Sequence, residues 1–230
     1  MLVPSTIWTQ IRAAQRNSTG AWDRMYLKYQ GLVSRQISRR IGGLSESDLE
    51  DLRQNVFLEI SRPDFLQRAD KSKGRFRSLL FAVTDNVIKM WLRGEYSRRR
   101  KGPNKTALID QEAIFGALQN REAPSSPEEE VFNREWAGEL LQESLDSLKA
   151  ESDRLQTKYH RTVIGHYFEK LSRADLAKEM DITEDMVRNY LSRGRQKLGE
   201  SMRAAIAEYC TDEQEILDEL DDLKKYIPIG

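Results

Sequence analysis

The stretch SRADLAKEMDITEDMVRNYLSRGRQKL, Ser172–Leu198, decides how the rest of the 230-residue chain is read. Ser172 stands three residues before Asp175, the spacing at which a hydroxyl and a carboxylate close the first turn of a helix. Leu176, Ala177 and Met180 give that short helix an apolar face, and Asp181-Ile182-Thr183 forms a tight turn with Ile182 pointing inward. Thr183 caps a second helix whose buried positions are Val187, Leu191 and Leu198. Two helices joined by about three residues, with small Ala177 at the close crossing, form a helix-turn-helix. The outward positions of the second helix are Glu184, Asp185, Arg188, Asn189, Ser192, Arg193 and Arg195. Arg, Asn and Ser are side chains that hydrogen-bond base edges and phosphates in a major groove, so this helix points to duplex DNA.

Charge agrees with that direction. The chain is neutral overall, with 37 basic and 37 acidic residues, but the two signs are segregated. Lys71 to Lys105 holds eleven bases against Asp85 and Glu95, whereas Asp110 to Asp153 holds twelve acids against three bases. Arg188 to Arg203 is again basic, and Glu208 to Asp222 carries eight acids and no base. Dense basic blocks attract polyanions and acidic ones repel them.

Upstream, Ala21 to Ile41 places Trp22, Met25, Tyr26, Tyr29, Leu32, Val33, Ile37 and Ile41 at helical spacing, and Gly42-Gly43 stops the run. Ser45-Glu46-Ser47-Asp48 caps a second helix striped with Leu49, Leu52, Val56 and Ile60, which Pro63 ends. After Lys71-Ser72-Lys73-Gly74, a long third helix carries Phe76, Leu80, Val83, Val87, Met90 and Trp91 and runs into Arg98-Arg99-Arg100-Lys101. Gly102 to Pro127 lacks sustained periodicity and reads as a linker with one short helix near Gln111–Leu118. Helical pattern resumes at Val131 and continues through Leu148 to Phe168.

The fold class is therefore all-α, two small helical domains joined by a flexible acidic linker. One cysteine, Cys210, excludes a disulfide framework and fits a reducing cytosol. His160 and His166 alone offer little for metal or triad chemistry, and no catalytic constellation or phosphate loop is visible, so neither an enzyme nor a cofactor is expected. No apolar run approaches a membrane span, and a cytoplasmic protein is the expectation.

Three stretches in order, DLEDLRQNVFLEI (Asp48–Ile60), ADKSKGRFRSLLFAVTDNVIKMWLRGEYSRRR (Ala69–Arg100) and LSRADLAKEMDITEDMVRNYLSRGRQKL (Leu171–Leu198), resemble the bacterial sigma-70 RNA polymerase sigma factors of the extracytoplasmic-function type. The resemblance implies region 2 over 1–102, a linker over 103–130 and region 4 over 131–203, with an acidic C-terminal extension over 204–230. It implies that Asp48, Asp51, Gln54 and Phe57 dock on core RNA polymerase, with Asn55 in place of a usual acid. It implies contact with the melted −10 strand by Lys73, Arg75, Arg77, Asn86, Lys89 and Arg93, with Asp85 where the family carries Arg. Arg173, Thr183, Arg188, Asn189, Ser192, Arg193 and Arg195 fall to the −35 duplex, while Met186, Tyr190 and Gly194 replace the usual Thr, Arg and Ala. The implied partners are core polymerase and promoter DNA, with an anti-sigma factor or a regulatory kinase left open. The rival reading of the same helix-turn-helix is a stand-alone regulator on duplex operator DNA.

The tail lies beyond the family's pattern. Thr211 with Gln214 reads as a capping box, and Ile216, Leu220, Leu223 and Ile227 form one apolar stripe before Pro228. Two roles are open for this acidic helix: packing beside region 4, or folding back to cover the basic −35 or −10 surface.

Overall fold

Helix starts are set by side chains that accept the free amides of a first turn, and the apolar stripes then decide what packs. The protein is described by a computed structural model covering residues 19–62, 76–101, 114, 126–210 and 212–227. Among the described residues it is all-helical, without strands. The helices are α1 (Thr19–Arg40), α2 (Glu46–Ser61), α3 (Phe76–Lys101), α4 (Pro127–Arg154), α5 (Tyr159–Val163), α6 (Arg173–Met180), α7 (Glu184–Ala207) and α8 (Glu213–Lys224). A π-helical turn, Ile164–Phe168, follows α5 directly. Among the described residues no helix is long and apolar enough to cross a membrane. The chain divides into two compact units between Phe132 and Asn133.

In the N-terminal unit α1, α2 and α3 pack pairwise. Their stripes supply the core: Leu32, Val33 and Ile37 from α1, Val56 and Ile60 from α2, and Phe76, Leu80 and Val83 from α3 are all buried. Gly43 takes a left-handed φ of 74°, which only a residue without a Cβ adopts freely, and so turns the chain after α1. Ser45 Oγ accepts the Asp48 amide at 3.1 Å and opens α2.

In the C-terminal unit, α4 carries Trp136, Ala137, Leu140, Leu141, Leu145 and Leu148 on its buried face. Its first turn, Glu128-Glu129-Glu130, lies inside the segment expected to be linker, because Ser126 Oγ accepts the Glu129 amide at 3.1 Å and three carboxylates favour a helix N-terminus. The stretch 103–125 of that linker, with the short helix expected near Gln111–Leu118, lies outside the described residues except position 114. The helical run expected to continue from Leu148 to Phe168 is broken instead. Gln156 adopts a left-handed φ of 51° after α4, and Ser152 Oγ then accepts the His160 amide at 3.1 Å to start α5.

The tail is integrated into this unit. Ala205, Ile206, Tyr209 and Cys210 are buried, with no break at the boundary expected near 203. The cap of α8 is Asp212, whose carboxylate accepts the Glu215 amide at 2.9 Å, rather than Thr211, which lies outside the described residues. Ile216 and Leu223 are buried, and Glu213 pairs with Arg203 near the far end of α7. The −35 candidates on α7 stay exposed, so within this unit the acidic helix does not lie over them.

Polar groups seal the join. Trp136 Nε1–H donates to Tyr209 Oη at 3.2 Å, and the Tyr209 hydroxyl donates to Glu219 Oε1 at 3.3 Å, all buried. Glu219 is 0% exposed, and a buried carboxylate is tolerated only when it is bonded. Tyr209→Phe removes the acceptor of the indole N–H and a donor to Glu219. The expected loss is about 1–3 kcal/mol in urea unfolding followed by circular dichroism.

Candidate nucleic-acid interface

The helix-turn-helix begins with a reciprocal cap. Ser172 Oγ accepts the Asp175 amide at 3.1 Å, while the Ser172 amide donates to Asp175 Oδ2 at 3.2 Å. The Ser172 hydroxyl, donating to Asp175 Oδ2 at 2.6 Å, and then the Ser172 amide hold the Asp175 carboxyl below its usual range. Asp181 closes α6 in the left-handed conformation, φ 53°, which a short polar side chain tolerates. Half-buried Ile182 packs on a cluster of Leu176, Ala177, Met180, Val187 and Leu191. Thr183 Oγ1 accepts the Met186 amide at 3.2 Å, so its hydroxyl serves as the cap of α7.

Two ties outside the motif fix its attitude. Arg161 on α5 donates from Nε to Glu179 Oε1 and from Nη2 to Glu179 Oε2, both at 2.6 Å. Its Nη1 donates to Glu169 Oε2 at 2.7 Å. The bidentate bond raises the guanidinium pKa and lowers that of the Glu179 carboxyl. At the other end, Lys197 Nζ donates to Glu151 Oε1 at 2.6 Å and is pushed upward by that bond. Lys197 thus joins α7 to α4 rather than standing free toward a phosphate.

At Gly194 α7 comes close to α5. A Cβ there would lie 2.8 Å from Val163 Cγ2 and 3.1 Å from the Tyr159 carbonyl oxygen. Tyr190, one turn earlier, sits half-buried with its ring centroid 5.6 Å from that of Tyr159. The departures at 190 and 194 from the resembled pattern are therefore packing choices.

The α7 candidates lie where the sequence places them. Arg188, Asn189, Ser192, Arg193 and Arg195 are exposed on α7, and Arg173 is exposed at the start of α6. Arg188 pairs with Asp185 at 3.0 Å, both well exposed. An open cleft of about 440 Å³ runs beside α7, lined by His166, Tyr167, Arg173, Arg188, Leu191, Ser192 and Arg195. Arg195 stacks over Tyr167 with Cζ 5.9 Å from the ring centroid. His166 and Tyr167 belong to the π-helical turn and were missed from the sequence, where Tyr167 reads as one more apolar position in a continuous helix. Among the described residues no cluster of His, Cys, Asp or Glu could hold a metal ion.

Residues 145–198 match the family model described as Sigma-70, region 4. The match begins on the buried face of α4 and ends at Leu198 in α7, so it covers the helix-turn-helix and the helices that carry it. Region 4 is a DNA-binding domain, and its work is binding rather than covalent chemistry. No curated protein matches the chain.

In the N-terminal unit the candidates divide. Asp48, Asp51 and Gln54 are exposed on α2, with Gln54 Nε2 donating to Glu50 Oε1 at 2.9 Å. Phe57 is buried, its ring centroid 4.9 Å from that of Tyr26, so the expectation that it faces a partner is corrected to a core role. Arg77 and Asn86 are likewise buried, at 4% and 8% exposure, because both lie on the side of α3 that packs inward; neither presents to a DNA strand here. Lys89 and Arg93 are exposed, and Lys89 Nζ lies 2.6 Å from Asp85 Oδ2. Asp85 also accepts Arg40 Nη1 at 3.1 Å, which accounts for an acid at this position. Lys73 and Arg75 lie outside the described residues.

Gly194→Val drives a branched side chain into Val163 and the Tyr159 carbonyl. The expected cost is about 1–3 kcal/mol, read as a lowered urea midpoint with an unchanged slope. The depressed carboxyls of Asp175 and Glu179 set a pH dependence. A folded pKa below the unfolded one stabilises above the unfolded value and is lost as pH falls through the folded one. Thermal melts should therefore drop as pH goes below the ordinary carboxylate range. Arg161→Ala should shrink the Glu179 share of that drop.

Proposed function

We propose that the protein is a sigma factor of the extracytoplasmic-function type, which binds bacterial core RNA polymerase and directs promoter recognition, −10 melting and initiation. The observation that carries this reading is the region 4 match over 145–198, ending on a recognition helix whose Arg188, Asn189, Ser192, Arg193 and Arg195 are all exposed. Duplex recognition needs donors on one projecting helix, and these residues supply them. The N-terminal unit, with α1, α2 and α3 among its described residues, then serves the other half of the task. Asp48, Asp51 and Gln54 form the polar face that docks on polymerase. Lys89 and Arg93, with Lys73 and Arg75, supply charge to the melted strand, since single-stranded DNA is held by a basic track. Phe57, Arg77 and Asn86 support these surfaces from within.

The test is run-off transcription with purified bacterial core polymerase on genomic fragments. Discrete transcripts that require the protein are expected; none above core alone, from any fragment, overturns the reading. High-affinity binding of the free protein to palindromic duplexes, with no effect on polymerase, favours the stand-alone regulator. Asp51→Lys should abolish promoter-directed transcripts and capture by core polymerase while helix content stays unchanged, because it sets like charges face to face across the interface.

A further inference from the structure

A projecting helix reads a duplex only if its attitude is fixed, and α6 leads into α7 through Asp181-Ile182-Thr183 alone. With eight residues, α6 is too short to be a stable helix by itself, so its place is set by what it touches. Its apolar side, Leu176, Ala177 and Met180, packs on Val187 and Leu191 of α7, with Tyr167 and Leu171 alongside. Apolar burial holds such a pair together without directing it. Direction enters at the exposed Glu179, in the last turn of α6 and two residues before the left-handed Asp181.

Arg161 of α5 engages this joint with three donors. Nε and Nη2 take both oxygens of Glu179 at 2.6 Å, and Nη1 takes Glu169 at 2.7 Å. One planar guanidinium therefore ties together α5, the connection that follows the π-helical turn, and α6. A fork bound to both oxygens of a carboxylate fixes orientation as well as distance, which a point charge does not. The joint closes around Gly165, where a Cβ would lie 2.5 Å from Leu176 Cδ2 and 3.1 Å from Arg161 Nη1. Lys170, next to Glu169, holds a left-handed φ of 60°, a conformation that a long side chain keeps only where its surroundings impose it. The side chains of Arg161, Glu179 and Glu169 are 34%, 45% and 46% exposed. Water screens charges at that exposure, so the larger contribution of the fork is geometric.

We propose that Arg161 is a positioning residue for duplex binding, acting through Glu179 to hold the end of α6, and with it the cap of α7, at one attitude on α5. The role rests on the reading of residues 145–198 as a DNA-binding domain and deepens it, because affinity then depends on a joint that touches no nucleic acid. The sign of the charges separates positioning from plain attraction. By charge alone, losing a cation lowers affinity for a polyanion and losing an anion raises it. A positioning joint fails when either partner goes.

The experiment measures binding of the full chain, in complex with core polymerase, to promoter fragments with the −35 element intact or replaced, across a salt series. Circular dichroism at the binding temperature first establishes that each variant is fully helical. Glu179→Gln, which deletes a negative charge, should weaken −35-dependent binding about five- to tenfold, and so should Arg161→Gln. The double variant should bind no more weakly than the weaker single one, since both act through the same bond. The slope of log K against log salt should stay unchanged, whereas loss of a phosphate contact flattens it by about 0.9. Tighter binding by Glu179→Gln, a flattened slope in Arg161→Gln, or unchanged affinity in fully helical variants overturns the assignment. If Arg161→Gln does not fold, the direction of the Glu179→Gln effect decides alone. A wild-type complex whose binding ignores the −35 element overturns the reading on which the role rests, and does so before any substitution is made.

Discussion

The C-terminal unit depends on a side chain that is missing. At Gly194 the backbone of α7 comes so close to α5 that even a methyl group would press on Val163 and the Tyr159 carbonyl. That contact sets how α7 crosses the helix beneath it, and the other features follow from the crossing. Tyr190 can lie on Tyr159, Lys197 can reach Glu151, and Leu191 and Leu198 turn inward while Asn189 and Arg193 turn out. Close approach of two backbones is rigid because no rotamer change relieves a shift, and packed interiors transmit strain rather than absorb it.

What was legible in the sequence is what local chemistry writes into short spacings. The caps at Ser45, Ser172 and Thr183, the stop at Gly42-Gly43 and the apolar stripes of α1, α2, α3 and α7 all depend on residues within a turn or two of each other. What was hidden depends on pairs far apart in the chain. Arg161 meets Glu179, 18 residues on; Lys197 meets Glu151 across 46; Trp136 meets Tyr209 across 73. No periodicity announces these. The burial of Arg77 and Asn86 was hidden for a related reason: a polar residue on a helix looks like surface until its neighbours are known. The π-helical turn was invisible because its residues continue an apolar pattern while its hydrogen bonds do not.

Charge needs the same correction. The blocks of opposite sign are distinct in the sequence, yet part of each is spent inside its own unit. Asp85 engages Arg40 and Lys89, and Glu213 engages Arg203. Within the C-terminal unit, cationic side chains gather on one stretch of α7 and the acids of α8 pack toward its other end. Segregation at the level of the fold, more than net charge, is what makes one face of this unit hospitable to a polyanion.

The length of α7 has a consequence for discrimination. Its 24 residues span about 36 Å as one unbroken helix, with the exposed Arg188, Asn189, Ser192, Arg193 and Arg195 in its first half and the Arg203–Glu213 and α8 packing in its second. A rod held firmly at one end and braced in the middle by Gly194 does not bend to suit a poorly matched site. The duplex is then the compliant partner. If the unit binds duplex DNA as proposed, sequences whose base steps unwind or narrow easily will fit such a rigid helix better than stiff ones with the same contacted bases, and part of the selectivity will reside in the mechanics of DNA that the protein never touches.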